Sequence, residues 1–254
     1  METAFFIRSG KLNIPCKVCV PDGQPRRIVL GVHGLTGSKD DAIQAGIAEE
    51  MALFHAASYR FDLPGHGQNR DALTLENCVE ALLAVAREAA RQYPQVPDLC
   101  IFATGFGAYV TLIALQRLKA LEKQLHLVIQ TPAVLMHQTL LAMTGLSQET
   151  FRVMEQLIFP VEPPLTVTYR FFEELQRNIA LTAHDLPMLI LQGEADDYIR
   201  MTDIQRFRQL NEQARMVIIP GASHRFMEDG AWDMVLDLTR DWFEYQQVLL
   251  ADYE

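Results

Sequence analysis

The stretch LCIFATGFGAYV, residues 99–110, decides the fold, because an apolar run ends in small residues just before an amphipathic segment begins. A short apolar run bounded in this way indicates a strand buried on both faces. The small residues Ala103, Gly105 and Gly107 indicate a sharp turn between the strand and the following helix. A strand, a turn and a helix in this order form one step of an alternating α/β structure.

The same alternation continues outward from this stretch in both directions. An antiparallel hairpin is predicted from strands at residues 4–8 and 14–20. Turn residues at 9–10 separate the two strands, and turn residues at 21–23 close the second. Further strands are predicted at residues 28–32, 57–61, 99–103, 125–129, 188–192 and 216–219. Helices are predicted at residues 42–54, 75–93, 109–121, 202–211 and 231–249. The sequence therefore predicts an α/β fold with a mostly parallel eight-stranded sheet and helices on both faces.

Residues 132–186 interrupt this pattern after the sixth strand. They contain helical stretches around a proline-rich middle at residues 159–164. Because structureless loops of such length are uncommon in compact domains, we expect an inserted lid with its own secondary structure. The predicted organisation is a core of residues 1–131 and 187–254 and a lid of residues 132–186.

Composition excludes several classes of function. The net charge is -10, and no cluster of Lys and Arg forms a stripe that could neutralise a nucleic-acid backbone. The N-terminus lacks a signal-peptide pattern, and no uninterrupted apolar run approaches the roughly 18 residues of a membrane span. We therefore expect a cytoplasmic protein with neither nucleic acid nor a membrane as a partner. The sequence leaves a homodimer open.

The four cysteines predict neither a disulfide framework nor a metal site. Cys16 and Cys19 lie in an alternating segment, so they should face opposite sides of a strand. We interpret them, with Cys78 and Cys100, as free thiols in a reducing compartment. The scattered histidines give no metal motif, and the glycines near residue 105 lack dinucleotide-binding spacing, so we expect no cofactor.

Polar motifs follow four of the predicted strands, at the edge where ligands bind in open α/β sheets. HGLTG at residues 33–37 can expose backbone N–H groups toward a cavity, and DLPGHG at residues 62–67 can support that loop through His66. Asp196 follows one of the last two strands and His224 follows the other, so a hydrogen-bonded pair is predicted. Asp196, the acid of a Gly-x-x-Asp turn, is a better candidate for this pair than Asp197.

Taken together, these motifs and their order resemble the α/β-hydrolase family over nearly the whole chain. Within it, the sequence is similar to small intracellular cinnamoyl and feruloyl esterases and to related serine peptidase and lipase-like hydrolases. The resemblance implies that His224 is a general base and that Asp196 orients it. It also implies an oxyanion hole made by the backbone N–H groups of Leu35 and Phe106, and hydrolysis of carboxylic esters.

The sequence departs from the family at the nucleophile. The family carries a Gly-x-Ser-x-Gly elbow at the end of this strand, and ATGFG places Gly105 where the serine belongs. If Thr104 were the nucleophile instead, Phe102 and Phe106 would occupy positions that need small side chains. Glycine suits a strained turn, so the fold should persist while acyl-enzyme chemistry is lost.

Other nucleophiles do not fill the gap, since Cys100 lies within its strand and Ser38 and Ser223 lie in other loops. Three interpretations of Gly105 stay open. The chain is a silenced form of a serine hydrolase, an enzyme whose Asp196–His224 pair activates water or a substrate proton, or a binding protein without chemistry.

The predicted lid indicates the kind of ligand. Its apolar residues suggest an apolar or aromatic acyl group: Met136, Leu140, Met143, Phe151, Met154 and Phe159. Met136 and Tyr169 are the predicted substrate contacts, and a small-molecule ester or similar apolar compound is the predicted partner.

Overall fold

The computed structural model describes residues 2–245. Its strands are β1 (Glu2–Ser9), β2 (Leu12–Cys19), β3 (Arg27–Val32), β4 (Ala56–Phe61), β5 (Asp98–Thr104), β6 (Gln124–Gln130), β7 (Gln156–Phe159), β8 (Leu165–Thr168), β9 (Met188–Gly193) and β10 (Arg215–Ile219). Its helices are α1 (Ala42–Leu53), α2 (Leu75–Gln92), α3 (Phe106–Lys119), α4 (Met136–Thr144), α5 (Gln148–Met154), α6 (Tyr169–Arg177), α7 (Met201–Leu210) and α8 (Ala231–Tyr245).

Eight of these strands form one sheet in the order β1-β2-β4-β3-β5-β6-β9-β10. The N-terminal hairpin of β1 and β2 is antiparallel and joins β4 antiparallel, and the remaining neighbours pair in parallel. The predicted fold class is therefore confirmed. Because β3, β5, β6 and β9 all run in one direction, the loops that follow them meet at the same edge of the sheet.

The sheet is buried on both faces, which explains why its central strands read as continuous apolar runs. Ile101 of β5 belongs to a large apolar cluster with α2 and α3, whereas its neighbour Phe102 belongs to a second cluster with α1 and α8. Successive residues of a strand point to opposite faces, so both must be apolar.

The described ends of the five predicted helices lie within two residues of the prediction, except for the start of α3. Helix α3 begins at Phe106 rather than residue 109, because Gly105 forms its N-cap and the turn leads directly into the helix. Helix α8 is described as far as Tyr245, and the predicted continuation over residues 246–249 lies outside the described residues.

Between β6 and β9, the chain forms α4, α5, the antiparallel pair β7 and β8, and α6. We call residues 132–186 the inserted segment. Its proline-rich stretch connects β7 to β8, a hairpin the sequence analysis did not predict because each strand has only four residues. Tyr109 of α3 ties the segment to the core by donating a hydrogen bond to the carbonyl of Asn178 (2.6 Å). No helix within residues 2–245 combines the length and apolar character needed to cross a bilayer.

Candidate active site

The turn between β5 and α3 is held in a conformation that suits glycine. Gly105 has φ +49° and ψ −109°, a backbone conformation with positive φ that residues other than glycine rarely adopt. Its N–H donates to the carbonyl of Gln130 (3.0 Å), and its carbonyl accepts from the N–H of Tyr109 (3.1 Å). A Cβ on Gly107 would lie 2.4 Å from the carbonyl oxygen of Val32, so this position has no room for a side chain. The elbow is thus intact without a nucleophile.

Asp196 and His224 form the predicted pair. His224 Nδ1 lies 2.9 Å from Asp196 Oδ2 and donates to it, since a carboxylate only accepts. The Asp196 side chain is 1% exposed and that of His224 is 22% exposed, so the acid is buried behind a partly accessible imidazole. A Cβ on Gly193 would lie 2.4 Å from the carbonyl oxygen of Ala222. This close approach brings the loops after β9 and β10 together.

The surroundings of Asp196 keep its carboxylate ionised. Burial alone would favour the neutral acid, but the hydrogen bond and charge of His224 and the N–H groups of Ile199 and Tyr198 outweigh it, so the pKa of Asp196 lies below its usual value. Gln192 adds a further hydrogen bond, Nε2 to Oδ2 at 3.1 Å. Because Nδ1 of His224 donates to this carboxylate, Nε2 carries the free lone pair of the neutral ring.

Nε2 of His224 faces the elbow. A Cβ built on Gly105 lies 3.8 Å from Nε2, which is ordinary contact, and it meets no other neighbour within 4 Å. A hydroxyl one bond beyond that Cβ comes within hydrogen-bond reach of the imidazole. His224 is therefore placed to accept a proton from a serine at position 105, although the chain has glycine there.

Two backbone N–H groups are available to bind a negatively charged oxygen. Leu35 and Phe106 both line the cavity beside Gly105, and neither N–H donates to an acceptor within residues 2–245. Phe106 is the first residue of α3, where an N–H has no partner inside the helix. The structure thus brings the predicted oxyanion donors to the same cavity as His224.

His33 fixes the direction of one of these donors. Its Nδ1 donates to the carbonyl of Gly34 (2.8 Å), and that carbonyl shares a peptide unit with the N–H of Leu35. Its Nε2 accepts from the N–H of Leu63 (3.0 Å), which sets the tautomer. Burial, reinforced by the nearby imidazole of His66, lowers the pKa of His33 to about 3, so the ring is neutral.

The loop at residues 62–67 supports the loop at residues 33–37 from below. His66 Nε2 lies 2.6 Å from the carbonyl of Leu35, and Nδ1 lies 2.9 Å from that of Pro64. Because burial lowers the pKa of His66, the neutral ring has one N–H, which we assign to the shorter contact. Asp62, fully buried, accepts from both the backbone N–H and the Nζ of Lys39. His66 therefore has the supporting contacts expected of it.

A cavity of about 600 Å³ lies above the elbow. Its floor consists of the loops just described, including Gly105 and His224. The rest of its lining comes from the inserted segment: Ala133, Met136, Thr139, Met143, Phe159, Pro160 and Val161. The volume falls within the range of roughly 300–1,000 Å³ seen for small-molecule sites. The site combines an apolar wall with a polar floor.

The two predicted substrate contacts have different locations. Met136 lines the cavity, whereas Tyr169 is not among its lining residues. The Tyr169 ring instead packs edge-on against Phe151 and stacks with Phe172, and its hydroxyl accepts from Gln148 (3.2 Å). Tyr169 therefore packs within the inserted segment, and its contact with a substrate stays a prediction.

The remaining apolar residues predicted for the lid also divide. Met143 and Phe159 line the cavity, Leu140 and Phe151 are buried in the core, and Met154 is half exposed.

The other candidate nucleophiles lie in different parts of the fold. Cys100 is fully buried in β5, the Ser38 hydroxyl donates to Asp41 Oδ1 at 3.4 Å, and Ser223 lies in the loop after β10.

Sequence reasoning missed several residues of the cavity. Gln130 ends β6, Thr131 follows it, and both line the cavity together with Asp41, Tyr198 and Arg225. Gln130 is 1% exposed, and its Oε1 has no hydrogen-bond partner within the described part of the chain. Thr131 has a positive φ of +42°, which is unusual for a β-branched residue. Their position after a buried strand was the signal that could have identified them.

The elbow, the Asp196–His224 pair and the sheet order together match one family. The profile described as "Alpha/beta hydrolase family" matches residues 29–238, and the chain belongs to that family. A search of curated proteins finds no significant match.

Solved structures share the fold at low sequence identity. Est1E from Butyrivibrio proteoclasticus, solved with ferulic acid bound, is 19% identical, with a TM-score of 0.79, covering 94% of this chain and 97% of its own. Alpha/beta hydrolase domain-containing protein 10 from mouse is 13% identical, with a TM-score of 0.75 and coverage of 96% and 100%. Dienelactone hydrolase from Anabaena variabilis is 18% identical, with a TM-score of 0.64 and coverage of 96% for both chains. At this identity the likeness establishes the fold.

Proposed function

We propose that this chain binds a carboxylic ester or a related apolar carbonyl compound at a hydrolase site without a covalent nucleophile, and hydrolyses it very slowly. The observation that carries the proposal is the hydrogen-bonded Asp196–His224 pair whose Nε2 faces the empty side-chain position of Gly105. Leu35, Phe106 and His224 line the same cavity, and Asp196 lies behind His224. Removing the nucleophile of such a site costs on the order of a millionfold in turnover.

A serine at position 105 would complete a familiar mechanism. Its hydroxyl would attack the ester carbonyl while His224 Nε2 takes its proton and Asp196 holds the imidazole in the required tautomer. The N–H groups of Leu35 and Phe106 would bind the oxyanion, a contact worth roughly 3–4 kcal/mol for each donor.

The inserted segment favours an apolar or aromatic acyl group. Met136, Met143 and Phe159 form the wall opposite the elbow, and methionine adapts its shape to different ligands. The fold neighbour Est1E, which binds ferulic acid, is compatible with the same preference.

The experiment compares the native chain with Gly105→Ser and Gly105→Ala. Short-chain and hydroxycinnamoyl esters are assayed for hydrolysis, and a fluorophosphonate probe reports a nucleophilic serine. We expect labelling from Gly105→Ser alone and turnover far above that of the native chain, both abolished when His224→Gln is added. Gly105→Ala carries the same backbone strain without a hydroxyl and serves as the matched control. A folded Gly105→Ser protein that neither labels nor turns over contradicts the proposal and favours a binding protein.

A second candidate is hydrolysis by water without an acyl-enzyme. It is favoured by the open space between Gly105 and Nε2 of His224. There, Nε2 removes a proton from water as its oxygen bonds to the acyl carbon, and then returns the proton to the departing alkoxide. This route requires native-chain turnover that His224→Gln abolishes and that the fluorophosphonate leaves unchanged.

A further inference from the structure

The empty side-chain position of Gly105 creates a place for an oxygen atom. In a serine hydrolase the nucleophile fills this position, but here a Cβ would meet only Nε2 of His224, 3.8 Å away. The unpaired N–H groups of Leu35 and Phe106 line the same cavity. The site therefore offers separate positions for two oxygens: the backbone N–H groups donate to one, and Nε2 of His224 donates to the other once it has taken up a proton as the carboxylate binds.

The charges around this position suit an anion. Phe106 begins the 14-residue helix α3, whose N-terminus carries a partial positive charge. Asp196, ionised and hydrogen-bonded to Nδ1, stabilises a protonated His224 when an anion binds at Nε2. Arg225 lies at the cavity edge and adds a positive charge. Asp41, on the same edge, is the opposing carboxyl, and burial raises its pKa.

An independent observation also points to a polar ligand. Gln130 lines the cavity next to the elbow, is 1% exposed, and has no partner for its Oε1 within residues 2–245. Buried amide groups are normally hydrogen-bonded, so this side chain lacks a partner, and a ligand supplies one if the amide turns its covered oxygen toward the cavity. An amide can present either its oxygen or its NH₂ to that ligand.

We propose that the native site is a receptor for a free monocarboxylate with an apolar or aromatic tail. One carboxylate oxygen accepts from the N–H groups of Leu35 and Phe106, and the other occupies the vacated nucleophile position and accepts from His224 Nε2. The tail lies against Met136 and Phe159 of the inserted segment. This inference rests on the proposed function for the location and apolar wall of the cavity.

The test measures binding by titration calorimetry with ferulate, its methyl ester and the corresponding primary alcohol. We expect ferulate to bind at least about tenfold more tightly than the two neutral compounds, the effect of one or two charge-assisted hydrogen bonds. Gly105→Ala should weaken ferulate about tenfold by filling the second oxygen position, and change the alcohol less than about threefold. His224→Gln should also weaken ferulate selectively.

Gly145→Ala is the matched control, because Gly145 also has a positive φ (+66°) and a Cβ there meets nothing within 4 Å. It should leave ferulate binding unchanged, and circular dichroism shows that each variant is folded. Equal affinity for ferulate and its methyl ester, or a Gly105→Ala variant that binds ferulate as the native chain does, overturns the proposal. If Gly105→Ser is active while ferulate shows no preference, only the carboxylate inference fails. Ferulate binding without Gly105→Ser activity instead contradicts the proposed ester chemistry.

Discussion

At the scale of single residues, Gly105 determines which chemistry the site can perform and which strain it avoids. Its φ of +49° costs glycine little, whereas a side chain there is strained. We expect Gly105→Ser to lower the free energy of unfolding by about 1–3 kcal/mol, measured by urea denaturation. Gly145→Ser, also at positive φ and in open space, should cost a similar amount. A much larger loss at position 105 alone would show that the serine meets an obstacle in the cavity.

Gly107 is limited by space rather than by its backbone angles. A Cβ there would lie 2.4 Å from the Val32 oxygen and 2.5 Å from the His33 oxygen, both backbone atoms that cannot rotate away. Gly107→Ala should therefore destabilise the protein by roughly 3 kcal/mol, by forcing the elbow away from the loop at residues 33–37. In the Gly105→Ser background it should also reduce esterase turnover. A neutral effect in urea denaturation would contradict this account.

The sequence predicts which residues belong to the site where this depends on the order of strands, but it does not predict the direction of side chains. Asp196 and His224 were identified because parallel strands bring their ends together. The direction of the Tyr169 ring depends on packing against Phe151 and Phe172, which leaves no local pattern in the sequence. Gln130 was missed because a glutamine at the end of a strand gives no motif.

At the scale of elements, α3 connects the elbow to the inserted segment. The Tyr109 ring is fully buried, and its hydroxyl donates to the carbonyl of Asn178, just after α6. Tyr109→Phe should cost about 1 kcal/mol in the free energy of unfolding, since it removes one hydrogen bond with little loss of volume. It should also speed amide hydrogen exchange in α6. Tyr245→Phe, at a ring 68% exposed, should change neither measurement.

The elements themselves were predictable to different degrees. Buried strands could be predicted from apolar runs, because both of their faces are covered. The start of α3 was placed three residues late, because Phe106 and Gly107 resemble turn residues until Gly105 is known to be the N-cap. The β7–β8 hairpin escaped prediction because four-residue strands show too little alternation.

At the scale of the whole molecule, buried histidine makes stability depend on pH. Burial lowers the pKa of His33 from 6.5 to about 3. Between these values the unfolded chain binds a proton that the folded chain does not, so stability is lost as the pH falls through that window. From about pH 7 to about pH 5, this group alone should remove roughly 2 kcal/mol of unfolding free energy.

The measurement is urea denaturation at both pH values for the native chain and for His33→Gln. The variant loses the hydrogen bonds to Gly34 and Leu63, so it should be less stable at neutral pH but should lose less stability on acidification. His137 and His184, whose pKa values burial also lowers, remain in both proteins and cancel in the comparison, whereas His66 is coupled to His33 and its own contribution changes with the substitution. Parallel pH profiles for the two proteins would contradict a neutral buried His33.

The relaxed backbone at the elbow also has an evolutionary consequence. A serine at this position must be maintained against the strain it imposes, whereas glycine relieves that strain and still begins α3 correctly. An exchange of serine for glycine at this position would thus be a stabilising step that leaves the other site groups in place. Folding stability therefore opposes a serine at this position, even where the catalytic neighbours of that serine are already in place.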